Sequence, residues 1–125
     1  MNPIDKILRG RIMVCEVPSD YVDKRRWLEL QLQDSSRVNY PLKTPPHSAL
    51  AFSSFWPSVS INDAEFKLRI SDFDTEDIER GMDPSYENVG EYINLKNYDD
   101  LILWLDAHGV RLSDFVDSAE TDYPL

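Results

Sequence analysis

A chain of 125 residues, 42% apolar and 11% aromatic, holds enough apolar material for one domain spanning residues 1–125, with no need of disulfides or metal, and is not a disordered polymer. Its 23 Asp and Glu outnumber 13 Lys and Arg, giving a formal net charge of −10. Nucleic acid and anionic membranes repel such a chain, so the expected partners include neither.

In chain order, Asn2-Pro3 reads as a helix start, with Asn as N-cap and Pro at the first helical position. Ile4, Ile7 and Leu8 share one face, and Gly10 can stop the turn. Arg11 to Val17 reads as a strand ended by Pro18. Its run Ile12-Met13-Val14-Cys15 does not alternate, which fits burial on both faces. Cys15, the single cysteine, has no disulfide partner and reads as a buried, inert thiol. Ser19 to Arg26 is a polar connection, and its basic run Lys24-Arg25-Arg26 reads as a solvated hairpin loop. Leu28, Leu30 and Leu32 then alternate with Glu29, Gln31 and Gln33, the period of a strand with one wet face that also carries Trp27.

Asp34-Ser35-Ser36 reads as a turn, and residues 39–47 as a proline-rich extended loop. Residues 49–56, with Phe52, Phe55 and Trp56, read as an apolar strand broken by Pro57. Val59 and Ile61 suggest a brief strand before an Asn62-Asp63 turn. Phe66, Leu68 and Ile70 alternate with Glu65, Lys67 and Arg69, predicting a strand over 65–70. An acidic segment follows over 71–91, with a helical turn starting near Asp74 or Thr75. Tyr92, Ile93 and Leu95 suggest a short final strand.

Asn97 can cap the best helix, in which Tyr98, Leu101, Ile102 and Leu105 keep helical spacing, Trp104 is expected in the core, and His108 and Gly109 mark the end. Ser113 can cap a further turn carrying Phe115 and Val116, and the polar tail from Asp117 is expected to fray. These elements predict an α+β domain: a mainly antiparallel sheet of four to six strands, with the C-terminal helix packed on one face.

The charge is divided unevenly along the chain. Residues 1–60 hold 8 Lys and Arg against 6 Asp and Glu, whereas residues 61–125 hold 5 against 17. The acidic segment carries Asp72, Asp74, Glu76, Asp77, Glu79, Asp83 and Glu87, with Tyr86 among them. As a calcium loop it fails, because Asp77 stands where the sixth-position Gly belongs and Asp83 where the bidentate Glu belongs. The strand followed by Asp72-x-Asp74 superficially resembles the haloacid-dehalogenase phosphatases. That family places a small residue and then Thr or Val after the second Asp, where Thr75 and Glu76 stand here. A carboxylate acid/base pair needs an apolar pocket to separate two pKa values, and the run supplies none. One Cys and two His, His47 and His108, make no zinc spacing and no hydrolytic triad, and there is no glycine-rich phosphate loop. The expectation is a binding protein, not an enzyme, with no cofactor and no metal.

A one-sided acidic field favours a basic partner and speeds encounter with it. An exposed Tyr in that field would anchor an interface, since aromatic residues often dominate binding energy. The expected partner-binding residues are therefore Asp72, Asp74, Glu76, Asp77, Glu79, Asp83, Tyr86 and Glu87. In size, acidity and α+β pattern, with Tyr86 and the Glu87-Asn88 pair beside an acidic stretch, the chain resembles bacterial immunity proteins, particularly those of contact-dependent growth inhibition. The resemblance implies a cognate basic toxin domain, often a nuclease, bound and neutralised in the cytoplasm. The N-terminal residues lack the pattern of a signal peptide, which agrees with that compartment. Two other readings stand beside it: a nucleic-acid mimic that blocks DNA-binding enzymes, and a small metal-dependent enzyme using the Asp72–Glu76 cluster.

Overall fold

Five strands define the architecture of the computed structural model, which describes residues 2–33, 60–81 and 85–125. Helix α1 (Pro3–Leu8) starts as expected: the Asn2 side chain accepts a hydrogen bond from the Asp5 amide at 3.1 Å, satisfying one orphan donor of the first turn. Strands β1 (Met13–Val17), β2 (Lys24–Leu32) and β3 (Phe66–Asp74) follow, then a short helix α2 (Thr75–Glu79), strand β4 (Ile93–Leu95), helix α3 (Tyr98–Ala107) and strand β5 (Val116–Asp117). The sheet runs β4-β3-β2-β1-β5 and every pairing is antiparallel. The fold is thus α+β, with the C-terminal helix packed on the sheet.

Strand parity sorts the side chains. Leu28 stands opposite Cys15 on one side and Ile70 on the other, and Leu30 opposite Met13 and Leu68. These residues share one face with Leu32, Phe66 and Leu95, and α1 and α3 cover it with Ile7, Leu8, Leu101 and Leu105. Each such side chain contributes about 1.5–3 kcal/mol by leaving water. Cys15 lies in this core, where burial, then Asp114 and Glu16, push its thiol up from the ordinary range. The Asn97 side chain caps α3 at the Asp100 amide, 2.8 Å away. At the other end Gly109 takes a φ of 69°, the left-handed geometry that lets the chain leave a helix. His108 stacks on the half-buried Trp104.

The other face is not wet. Trp27, Val14, Phe73 and Tyr123 form a second apolar cluster there, and Glu29 beside it is only 2% exposed. The tail is not frayed either. Val116 and Asp117 pair with Val14 and Met13 as β5, Arg11 grips the buried Asp117 through two hydrogen bonds of 2.8 Å, and Tyr123 packs on Trp27 and Phe73. A polar tail orders here because Asp117, Asp122 and Tyr123 each meet a partner on or beside the sheet. Two further expectations change. Ile61 joins Asn62 and Asp63 in the expected turn and is not a strand residue, and β3 runs through Asp74, so Asp72 and Asp74 are strand residues. The turn residues 34–36, the proline-rich loop with His47, the stretch 49–56, Val59 and Asp83 lie outside the described residues. Among the described residues no helix is long and apolar enough to cross a membrane.

Candidate functional site

The acidic segment divides into residues that hold the fold and residues that face outward. Asp72 belongs to the first group. It is 7% exposed, and it takes a two-pronged contact from Arg26, at 3.0 Å to each oxygen, and a hydroxyl hydrogen bond from Ser19 at 2.8 Å. Bidentate geometry of this kind fixes orientation as well as charge. Both carboxylate oxygens are occupied, so Asp72 is a brace and not part of an exposed docking surface. Asp74 pairs with Lys24 at 2.5 Å. It is also the N-cap of α2 but makes no side-chain cap, because Lys24 holds its carboxylate.

The basic run is correspondingly not a solvated loop. Lys24, Arg25 and Arg26 open β2 half-buried, opposite Asp74, Phe73 and Asp72 in register. Arg25 binds Glu16 through two hydrogen bonds of 2.8 and 2.7 Å and reaches Asp122 at 3.4 Å. That contact, outweighing partial burial, draws the Glu16 carboxyl below its usual range. The three cations of this run are thus spent on acids of the same sheet end.

The outward group is carried by α2 and the β1–β2 turn. Asp23, Asp74, Glu76, Asp77 and Glu79, with Val22 and Thr75, line an open groove of about 450 Å³. The Asp23 carbonyl accepts the Thr75 amide at 2.9 Å, which ties the turn to the first residue of α2. Glu76 pairs with Arg80 at 2.6 Å in an exposed contact one helical turn long, worth at most about 0.5 kcal/mol. Asp23, Asp77 and Glu79 have no ion-pair partner among the described residues. Glu76 and Asp77 also sit at the positive end of α2, where a carboxylate is favoured.

Tyr86 and Glu87 precede a segment that backbone contacts tie to β3. Val89 bridges Ser71 in antiparallel sense, the Asp72 amide donates to the Asn88 carbonyl at 3.1 Å, and the Gly90 amide to Ile70 at 3.0 Å. Only glycine allows this approach, since a Cβ on residue 90 would lie 2.2 Å from the Ile70 oxygen. Before Val89 the chain turns, with the Val89 amide donating to the Tyr86 carbonyl at 3.2 Å, so Tyr86 and Glu87 lie in that turn. Tyr86 is 58% exposed there and Glu87 is exposed. The structure therefore brings Asp74, Glu76, Asp77 and Glu79 to one groove, withdraws Asp72, and leaves Tyr86 and Glu87 exposed in the turn before Val89.

Sequence reasoning missed Asp23, together with Tyr21 and Val22 at the turn. The available signal was an apolar pair inside a polar connection. It also missed the buried polar centre on the sheet's second face. There Glu29 accepts four hydrogen bonds, from Tyr123 at 2.7 Å and Arg69 at 2.9 Å on one oxygen, and from Gln31 at 2.9 Å and Tyr92 on the other. All four acceptor positions of the carboxylate are filled. Burial pushes the Glu29 carboxyl up, but the Tyr92, Tyr123 and Arg69 contacts outweigh it and leave the group below its ordinary range. Burial, then the contact with Glu29, raises the Tyr92 hydroxyl to about 12 and moves Tyr123 in the same direction. Arg69 lies over the Tyr92 ring, and its Nε finds no acceptor among the described residues. With its carboxylate filled by Tyr123 from the tail and Tyr92 beside β4, this centre holds the tail and β4 to the sheet.

Among the described residues no three His, Cys, Asp or Glu side chains gather as metal ligands. Comparisons with protein-family models, curated proteins and solved structures find no match to the chain.

Proposed function

We propose that this chain is an inhibitor of the immunity type: it binds a cognate basic toxin domain, a nuclease that grips phosphates with a basic cleft, and neutralises it in the cytoplasm by covering the active site. The observation that carries the reading is the grouping around one groove of Asp23, Asp77 and Glu79, acids without an ion-pair partner among the described residues; Tyr86, exposed in the turn before Val89, is available as an aromatic contact. Nuclease clefts are lined with Lys and Arg. A patch of carboxylates complements them, steers encounter, and leaves aromatic contacts to slow dissociation. The inward placement of Asp72, held by Arg26 and Ser19, weighs against an enzyme that would use it as a ligand or base.

The test is capture of the tagged protein's partners from its native host at low and high salt, followed by a nuclease assay on any captured protein with and without this chain. The expected result is one stoichiometric basic protein, retained at moderate salt, whose nuclease activity the chain suppresses. Many basic proteins at low salt and none at high salt would reduce the acidic face to a non-specific field and overturn the reading.

A further inference from the structure

The β1–β2 hairpin ends in an apolar tip that the fold does not use. Val22 is fully exposed and Tyr21 is 52% exposed. Around them the polar groups are engaged in holding the turn. The Ser19 hydroxyl accepts the Tyr21 amide at 3.2 Å and donates to Asp72. The Tyr21 carbonyl accepts the Lys24 amide at 3.3 Å, and the Asp23 carbonyl accepts that of Thr75. Arg26 bridges Asp72 below the turn and Asp20 within it. The tip is thus braced on both sides and presents its apolar pair in a fixed position, which lowers the entropy lost on binding.

We propose that Tyr21 and Val22 are the apolar anchor of the interface, entering a recess on a basic protein partner while Asp23, Asp77 and Glu79 meet the Lys and Arg around that recess. This deepens the inhibitor reading and rests on it. Charge selects the occupant. Val22 lines the acidic groove itself, so an anionic lipid surface or a nucleic acid would be repelled as the tip approached. A second copy meeting tip to tip would set like charges against each other. A basic protein gains from both parts of the surface: acids at the rim and buried apolar contacts at the centre, the arrangement in which hot spots are found.

The experiment places photoreactive benzoyl-phenylalanine in the full chain at Val22, at Glu79 or at Leu103, an exposed apolar position on α3, and irradiates the native host. Positions 22 and 79 are expected to give an adduct with the same basic protein, and position 103 none. In the purified complex, Val22→Asp should speed dissociation about tenfold, as loss of an anchor does, with the association rate nearly unchanged. Circular dichroism of the variant should match that of the unaltered chain, because Val22 touches no core. An adduct at position 79 with none at 22, or unchanged dissociation for Val22→Asp, would overturn the anchor and leave the inhibitor reading standing. Adducts at neither position would overturn both, and a lipid or nucleic-acid adduct at position 22 would overturn the choice of partner.

Discussion

Two sets of carboxylates share this molecule. Glu29, Asp72 and Asp117 are buried, at 2%, 7% and 6% exposure, and each meets an arginine: Arg69, Arg26 and Arg11. Asp23, Asp77 and Glu79 stand at the surface or half-buried, without such partners among the described residues. Residue type is the same in both sets, and the difference comes from strand register. Positions that pair across the sheet put an acid opposite a base, as Glu29 faces Arg69 and Asp72 faces Arg26, whereas α2 and the hairpin turn have no strand opposite. An acid opposite a base in the sheet is structural, whereas Asp23, Asp77 and Glu79 beyond its end are left for a partner. A net charge of −10 therefore overstates the docking surface in one place and hides a structural centre in another.

The comparison breaks most readily at Glu29. Glu29→Ala leaves Arg69 and two tyrosine hydroxyls facing a void, and removing one partner of a buried pair costs about 3–5 kcal/mol. That is a large part of the stability of about 5–15 kcal/mol usual for a domain. Urea unfolding should show it as a lower midpoint, and a loss below about 1 kcal/mol would mean that the centre does not hold the sheet's second face. Tyr123→Phe is a finer probe. It keeps the ring against Trp27 and Phe73 and removes one hydrogen bond to a charged acceptor, a cost of about 1.5–3 kcal/mol. A neutral result would show that the tail is held by packing alone.

Acid and alkali sharpen the same contrast. Glu29, Asp117 and Glu16 are all drawn below their ordinary pKa, so between the folded and unfolded values the unfolded chain binds more protons. Their contribution is present above the unfolded values, about 4.3 for Glu and 3.9 for Asp, and is lost as pH falls through the folded ones. Tyr92 has the opposite sign. Its hydroxyl is raised to about 12, so its contribution is full below the unfolded value of about 10 and lost as pH rises toward 12. Midpoints measured across pH should fall at both ends, and Glu29→Ala should flatten both limbs. An acid limb as steep in Glu29→Ala as in the unaltered chain would remove Glu29 from this account.

Local signals in the sequence marked the elements well where the pattern had one cause. Asn2, Pro3 and Asn97 announce helix starts through groups that cap amides nearby, and the alternation of Leu28, Leu30 and Leu32 gives β2 and its core face. The second face was harder to read. Glu29 and Gln31 look solvated by type, and only long-range partners, Tyr92 and Tyr123, show otherwise. A clue did exist: if Met13 to Cys15 bury both faces of β1, the neighbouring β2 is covered on both as well. The acidic segment was legible as a charge excess, but its division was not, because Asp72 and Glu76 differ only in whether β3 has ended before them.

The smallest expected effect is on the fold when the acids of α2 are neutralised. Glu76→Gln, Asp77→Asn and Glu79→Gln together break only the exposed pair with Arg80, so stability should move by no more than about 0.5 kcal/mol either way. Relief of repulsion along α2 offsets part of what is lost at its positive end. Binding should respond where stability does not. With fewer charges to steer encounter, association with the basic partner should slow, most at low salt, while dissociation changes less. Stability lost in this variant would move α2 into the structural set. Stability kept, with a slower and less salt-dependent association, would separate the two sets of carboxylates as the sheet register does.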